Sequence, residues 1–172
     1  MGTCGRTHWT RSRNDLQKNS MEKPKFVPKP GQVDYTNIRR VPVVNCVAKY
    51  GEKILLVQRS ATMNFYPGLW NGVAGYLDDD KNVTEKAKEE LREEVGIEEK
   101  DILKITEGKA GEQEEPEYDK TWIVHPVLVE VATDKIILDW EAEQYAWILP
   151  KEAKKFKLVP GFQKVLKALQ LI

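Results

Sequence analysis

The chain has 172 residues, 41% of them hydrophobic, which suits one domain with one sizeable core. Its 27 basic and 27 acidic residues cancel to zero net charge, so no global field draws it to nucleic acid or to a membrane surface. No apolar run approaches the roughly 18 residues of a membrane span, residues 1–20 lack the apolar core of a signal peptide, and two cysteines, Cys4 and Cys46, suggest neither a disulfide framework nor a zinc site. The expected setting is a reducing cytoplasm, and the expected partner is a nucleotide rather than a duplex.

In chain order, residues 1–34 read as a flexible extension preceding a domain at 35–172. Residues 1–20 are polar and aperiodic, and residues 22–31 are rich in Pro and Lys. His8 and Trp9 in this tail receive no role. Residues 41–50 and 53–59 are β-branched and apolar, and Gly51-Glu52 between them predicts a hairpin with Cys46 as a small buried residue. Residues 60–70 form a loop carrying Phe65, Tyr66 and Trp70 around Pro67-Gly68. Rings at the mouth of a site can stack a base, and packing against the scaffold is their competing role. A short strand at 71–74 then delivers Gly75, where the absence of Cβ permits a tight turn.

The strongest local signal follows. Asn82 is a good N-cap, Glu85 completes a capping box, and Gly96 supplies a left-handed stop, so a helix is predicted over 83–95. Val83, Ala87, Leu91 and Val95 form its apolar stripe, and Glu90, Glu93 and Glu94 fall within about 100° of arc on the flank of that stripe. Three carboxylates at the margin of a core repel one another unless a cation neutralises them, and a hard ion such as Mg2+ suits oxygen donors. The competing account is a solvated face tied by pairs such as Lys86 with Glu90.

This stretch resembles the signature box of the Nudix hydrolases: Gly, five residues, Glu, seven residues, then Arg-Glu-hydrophobic-any-Glu-Glu-any-Gly-hydrophobic. Here Gly75 is followed by five residues, Lys81, seven residues and Glu89-Glu90-Leu91-Arg92-Glu93-Glu94-Val95-Gly96-Ile97. Lys81 stands where the family has Glu, and Glu89 stands where it has Arg. The two departures are opposite in sign, so they are expected to form the family's ion pair with its charges exchanged.

Beyond the box, residues 101–107 predict a strand, and residues 108–119 a long acidic loop that serves as a lid, supplies an extra metal ligand or is simply solvated. Residues 121–131 predict a strand in which Pro126 marks an edge or a bulge and His125 is structural. A short strand is expected at 136–138. Residues 139–149 resemble the acidic loop and Trp-bearing strand of many Nudix members, and in the members that cleave nucleoside triphosphates a Glu six residues before the Trp belongs to the metal site. Counting back from Trp147 gives Glu141, with Glu143 the second choice. A short helix start at 151–152, a Pro160-Gly161 break and an amphipathic helix carrying Phe162, Val165, Leu166 and Leu169 close the chain.

These elements give an α/β fold, a mixed sheet packed between helices, and the resemblance implies the same α/β/α sandwich over residues 35–172. It further implies a hydrolase that cleaves the diphosphate linkage of a nucleoside diphosphate bonded to another moiety, with Mg2+ as cofactor and Mn2+ as a substitute. Glu90, Glu93 and Glu94 would be catalytic. The metal would be held by these three, the Ala74 carbonyl and Glu141, while Arg59, Tyr66 and Trp70 would contact substrate. Family members are often dimers, which makes a homodimer an expectation. The principal alternative is a Nudix-fold binding or regulatory module with impaired catalysis, suggested by Lys81 and Glu89. An isopentenyl-diphosphate isomerase fits less well, because no cysteine falls near the expected site, and a plain interaction domain with a charged helix is the remaining option. Oxidised nucleoside triphosphates, nucleotide sugars, ADP-ribose and dinucleoside polyphosphates all suit such a site.

Overall fold

The structure, a computed structural model, describes residues 27–172. Cys4, His8, Trp9 and most of the expected extension lie outside the described residues. Strands β1 (Arg40–Tyr50) and β2 (Lys53–Arg59) form the expected hairpin, with Gly51 at φ 56° in its turn. The strand expected at 71–74 is two: β3 (Trp70–Asn71), which pairs with β2, and β4 (Val73–Tyr76), which pairs with β1. Gly72 is the joint at which the chain changes partner.

Helix α1 (Val83–Val95) has the expected bounds and caps. The Asn82 side chain accepts from the Glu85 amide, Glu85 accepts from the Asn82 amide, and Gly96 adopts φ 70°. Strand β5 (Ile102–Glu107) follows as expected. Residues 108–119 differ from the expected solvated loop: Gly111–Glu115 forms strand β6, antiparallel to β7 (Lys120–Val131), and Pro116–Tyr118 makes a 3-10 turn between them.

Strand β7 lies inside the sheet, so the expectation that Pro126 marks an edge or a bulge is corrected. It runs parallel to β1 from Arg40↔Thr121 to Lys49↔Glu130, and its other side is shared by β5 and β6. The Pro126 carbonyl accepts from the Gly108 amide at 2.8 Å. A residue's N–H and C=O point to the same edge of a strand. The missing N–H of Pro126 therefore faces the gap where β5 has ended and β6 has not begun, and no ladder bond is lost.

The expected strand at 136–138 is also absent. That segment caps α1 instead, the Ile137 and Asp139 amides donating to the carbonyls of Val95 and Glu94 at 3.0 Å each. Strand β8 (Ala142–Ile148) then pairs with β2, and helix α2 (Phe162–Ala168) closes the chain.

The result is an eight-stranded mixed sheet between two helical layers. Strand alternation sorts side chains between two cores. Val44, Cys46 and Ala48 of β1 join Leu55, Val57, Val127, Val129 and Val131 beneath Ala87, Leu91 and Val95 of α1. Val47, Ile54, Leu56 and Ile148 pack on the opposite face with Phe162, Val165 and Leu166 of α2. Each fully buried aliphatic side chain contributes about 1.5–3 kcal/mol, so the stripe of α1 fixes the helix and its carboxylates against β1 and β4. Among the described residues no helix is long and apolar enough to cross a membrane.

Candidate active site

Three segments meet at the flank of α1: the β4 turn, the loop before the helix, and residues 139–141. Gly75 is where β4 passes the helix. A Cβ there would overlap the Glu90 carboxyl, so glycine lets the carboxylate lie directly over the backbone. Ala74, whose carbonyl the family pattern makes a ligand, is the preceding residue and pairs with Asn45 of β1.

The three box glutamates occupy different environments. Glu94 is 6% exposed, and its Oε1 is buried with no hydrogen-bond partner among the described residues. Burial pushes its carboxyl well above the usual range, and the charges of Glu141, Glu90 and Asp139 push the same way, against a smaller opposing effect of Arg59. Glu90 is half-buried and hemmed in by protein. Burial raises it to about 8, opposed by Lys86 and reinforced by Glu141, Glu93 and Glu89. Glu93 is exposed and touches Arg92 Nη2 at 3.3 Å, yet its charge acts on Glu90 and on Asp139.

Glu141 belongs to this group through its coupling to Glu90, Glu94 and Tyr76. Its amide donates to Asp139 Oδ1 at 2.8 Å and its carbonyl accepts from the Ser60 amide at 2.7 Å, which ties it to the end of β2. Glu143 instead accepts from the Ala61 amide and braces the loop after β2.

Arg59, at the end of β2, bears electrostatically on Glu94 and on Tyr76, and its Nε donates to the Phe65 carbonyl at 2.9 Å. Tyr66 and Trp70 are engaged elsewhere. Tyr66, at φ 53°, accepts from Trp122 Nε1 at 2.7 Å and stands edge-on to Tyr118, whose hydroxyl takes the Tyr66 amide at 3.1 Å. Phe65 packs on Tyr118 and Trp122. Trp70 packs on Phe156 beside the α2-side core, away from the carboxylates of α1.

Sequence reasoning missed Lys86, Asp78, Asp79 and Asp139. Lys86 is not paired with Glu90 on a solvated face; it is 4% exposed, and its Nζ lies 3.1 Å from Asp78 Oδ1, 3.0 Å from Asp79 Oδ2 and 3.0 Å from Glu89 Oε2. Burial works against its charge, and the three carboxylates overcome that and raise its pKa. The charge-exchanged pair does exist: Lys81 Nζ lies 3.4 Å from Glu89 and 2.7 Å from Asp79. A basic residue four before the helix's own acids is a common surface pattern, so nothing in the sequence separated Lys86 from its solvated neighbours.

The donor set suits a hard divalent cation. It is all oxygen, and a buried, unpartnered Glu94 oxygen among like charges is costly without a positive charge beside it. Among the described residues no three acidic, His or Cys side chains stand as a closed cage, so the carboxylates approach a common region without enclosing it.

No curated protein matches the chain. Among solved structures, the fold matches a MutT protein from Methanosarcina mazei Go1 at TM-score 0.63 and 17% identity, covering 78% of this chain and 95% of that one. It matches a C. elegans Ap4A hydrolase in a binary complex at TM-score 0.62 and 20% identity, covering 76% and 95%. The NUDIX domain of Shewanella oneidensis NrtR complexed with ADP ribose matches at TM-score 0.63 and 14% identity, covering 76% and 86%. At these identities the likeness is one of fold. The family model for the NUDIX domain matches residues 39–169, which takes in the hairpin, the box, the acidic loop and the closing helix, and the chain therefore belongs to the Nudix hydrolase family, pyrophosphohydrolases of phosphoanhydride bonds.

Proposed function

We propose that this chain is a Mg2+-dependent hydrolase that cleaves the diphosphate linkage of a nucleoside diphosphate bonded to another moiety. The observation that carries the proposal is Glu94, buried with one unpartnered oxygen and surrounded by the charges of Glu90, Glu141 and Asp139. Glu90, Glu93, Glu94, Glu141 and the Ala74 carbonyl are the groups that would hold the metal. Mg2+, or Mn2+ in its place, would supply charge neutralisation at the phosphate oxygens and a more acidic bound water.

The chain's own residues do the rest. Arg59 offers a guanidinium beside the carboxylates, suited to a bridging or terminal phosphate. Glu90 or Glu141 would accept the proton of the attacking water; burial raises the metal-free Glu90 carboxyl to about 8, and a bound cation would bring it down into its ionised, basic form. The loop after β2 would meet the nucleoside side of the substrate, with Tyr66 and Trp70 shaping it through their contacts with Trp122, Tyr118 and Phe156. The likeness to an Ap4A hydrolase and to a NUDIX domain complexed with ADP ribose supports a nucleotide-diphosphate substrate class. The proposal includes a cytoplasmic setting, a catalytic domain at 35–172 preceded by the extension, no role for duplex nucleic acid, and a homodimer that light scattering would register.

A second reading follows from Glu89, an acceptor where the signature has an Arg: a module that binds nucleotides with little turnover. One assay separates the two. Phosphate release, coupled through pyrophosphatase or phosphatase, is measured with Mg2+ on oxidised nucleoside triphosphates, nucleotide sugars, ADP-ribose and dinucleoside polyphosphates. Turnover by wild type that falls at least about a hundredfold in Glu94→Gln, the scale of a lost charged group in catalysis, supports the hydrolase. Calorimetric nucleotide binding without turnover across the panel sinks it in favour of the module.

A further inference from the structure

Lys86 sits on α1 one turn before Glu89, on the same side of the helix, since residues three apart are neighbours there. An ammonium group has three donors, and each has a carboxylate: Asp78 and Asp79 in the loop before the helix, Glu89 on the helix itself. Asp78 is held in turn by residues N-terminal to the hairpin. Gln32 Nε2 donates to its carboxylate at 2.6 Å, and the Val33 amide donates to its carbonyl at 2.7 Å. Lys86 thus joins three pieces of chain at one buried point: the segment before β1, the loop that carries the backbone from Gly75 to the helix, and the helix position beside Glu90.

Position 89 bears the Arg in the family signature, and here it is an acid. Lys81 alone is a poor substitute for the lost guanidinium, because it is exposed and its nearer partner is Asp79. The local balance shows where the replacement lies. Among the described residues, Asp78, Asp79 and Glu89 form ion pairs with Lys81 and Lys86 alone, and of the two cations only Lys86 is buried. We propose that Lys86 is the positioning cation of this site, the signature cation moved back by one helical turn, and that Glu89 is acidic because it accepts from Lys86 instead of donating to the loop. Lys86 acts through others: it sets Glu89 and the Asp78-Asp79 loop, and through them the placement of Glu90 over Gly75. Its catalytic consequence rests on the hydrolase reading, whereas its pinning role does not.

The test is a charge-relocation cycle: wild type, Lys86→Ala, Glu89→Arg and the double variant, each measured by metal-free melting and by steady-state kinetics on the best substrate of the panel. In Lys86→Ala three carboxylates face one ammonium, and in Glu89→Arg two carboxylates face three cations, so both single variants are unbalanced. In the double variant two carboxylates face two cations with the guanidinium back at position 89. Each single change is expected to lower the metal-free Tm by more than about 5 °C, in keeping with a broken buried pair. Each is also expected to lower kcat about tenfold or more with a smaller change in KM, as misplacement of a catalytic group does. The double variant is expected to recover most of both. Packing alone would not be rescued by a charge placed three residues away, so a folded double variant no better than Lys86→Ala overturns the proposal, as does a Lys86→Ala protein that matches wild type. Should Lys86→Ala fail to fold, folding of the double variant supports the relocation and its failure overturns it. Absence of wild-type turnover defeats the hydrolase reading alone, and the melting cycle still decides the role of Lys86.

Discussion

Position 75 concentrates the chemistry of the site into one missing methyl group. The atoms that a Cβ would strike there belong to the carboxyl end of Glu90, not to backbone, so the fold can yield cheaply by turning that side chain aside. Stability and function are therefore expected to separate in Gly75→Ala: Tm within a few degrees of wild type, and kcat reduced at least about tenfold because Glu90, proposed as a catalytic group, has moved by an ångström or more. A Tm collapse with proportionate loss of folded protein would show instead that Glu90 is locked. The sequence carried the spacing of Glu90, Glu93 and Glu94 but not their ranking. At 100° per residue Glu93 and Glu94 lie on either side of Glu90, and their ranking is tertiary: Glu94 is buried and Glu93 exposed where Ile137 and Asp139 bond to the end of α1. Lys86 was invisible for the related reason that burial of a cation is decided by the loop laid over it.

At the scale of elements, legibility followed locality. The helix was readable to the residue because its limits are set within it, by Asn82, Glu85 and Gly96. Asn82→Ala removes the acceptor for the Glu85 amide and is expected to cost about 1 kcal/mol, read as a lower urea midpoint with unchanged slope and faster amide exchange in the first turn of α1. An unchanged midpoint would mean that tertiary packing alone holds that end. The hairpin was equally legible, from alternation and a Gly-containing turn. Strand β6 was not, because Gly111-Glu-Gln-Glu-Glu115 is poor in strand formers and takes its conformation from β7 alongside it. Residues 136–138 erred the other way: apolar and led by two isoleucines, they form no strand, and the Ile137 amide, followed by that of Asp139, goes to the carbonyl end of α1. Pro126 was placed at an edge by a sound rule, and the sheet evades the rule by dividing the neighbouring strand in two.

Across the described residues a margin of crowded acids borders the hydrophobic layers, and that crowding is expected to make stability depend on pH and, on the proposed function, on metal as well. Glu90 at about 8, with Glu94 and Asp139 also raised, binds protons more tightly folded than unfolded, where a glutamate titrates near about 4.3. The sign follows from linkage: a raised carboxylate disfavours folding once the unfolded group has ionised, so metal-free stability falls as pH rises from about 5 toward 8. Other shifted groups act outside that window. Asp79 and Glu89, whose pKa values are lowered, lose their contribution only in acid below about pH 4, and the raised Lys81 and Lys86 matter only above about pH 10. A chelated sample is thus expected to melt at a lower temperature at pH 8 than at pH 5.5. On the proposed function, millimolar Mg2+ would bind the ionised, folded form and add stability as RT ln(1 + [L]/Kd), so it is expected to raise Tm more at pH 8 than at pH 5.5. Glu94→Gln is expected to flatten both the pH slope and the Mg2+ response, since it removes the most deeply buried of these three raised carboxyls. A Tm that rises from pH 5.5 to 8 in chelator, or an Mg2+ shift equal at the two pH values, would show that these carboxylates are not the groups that bind the ion.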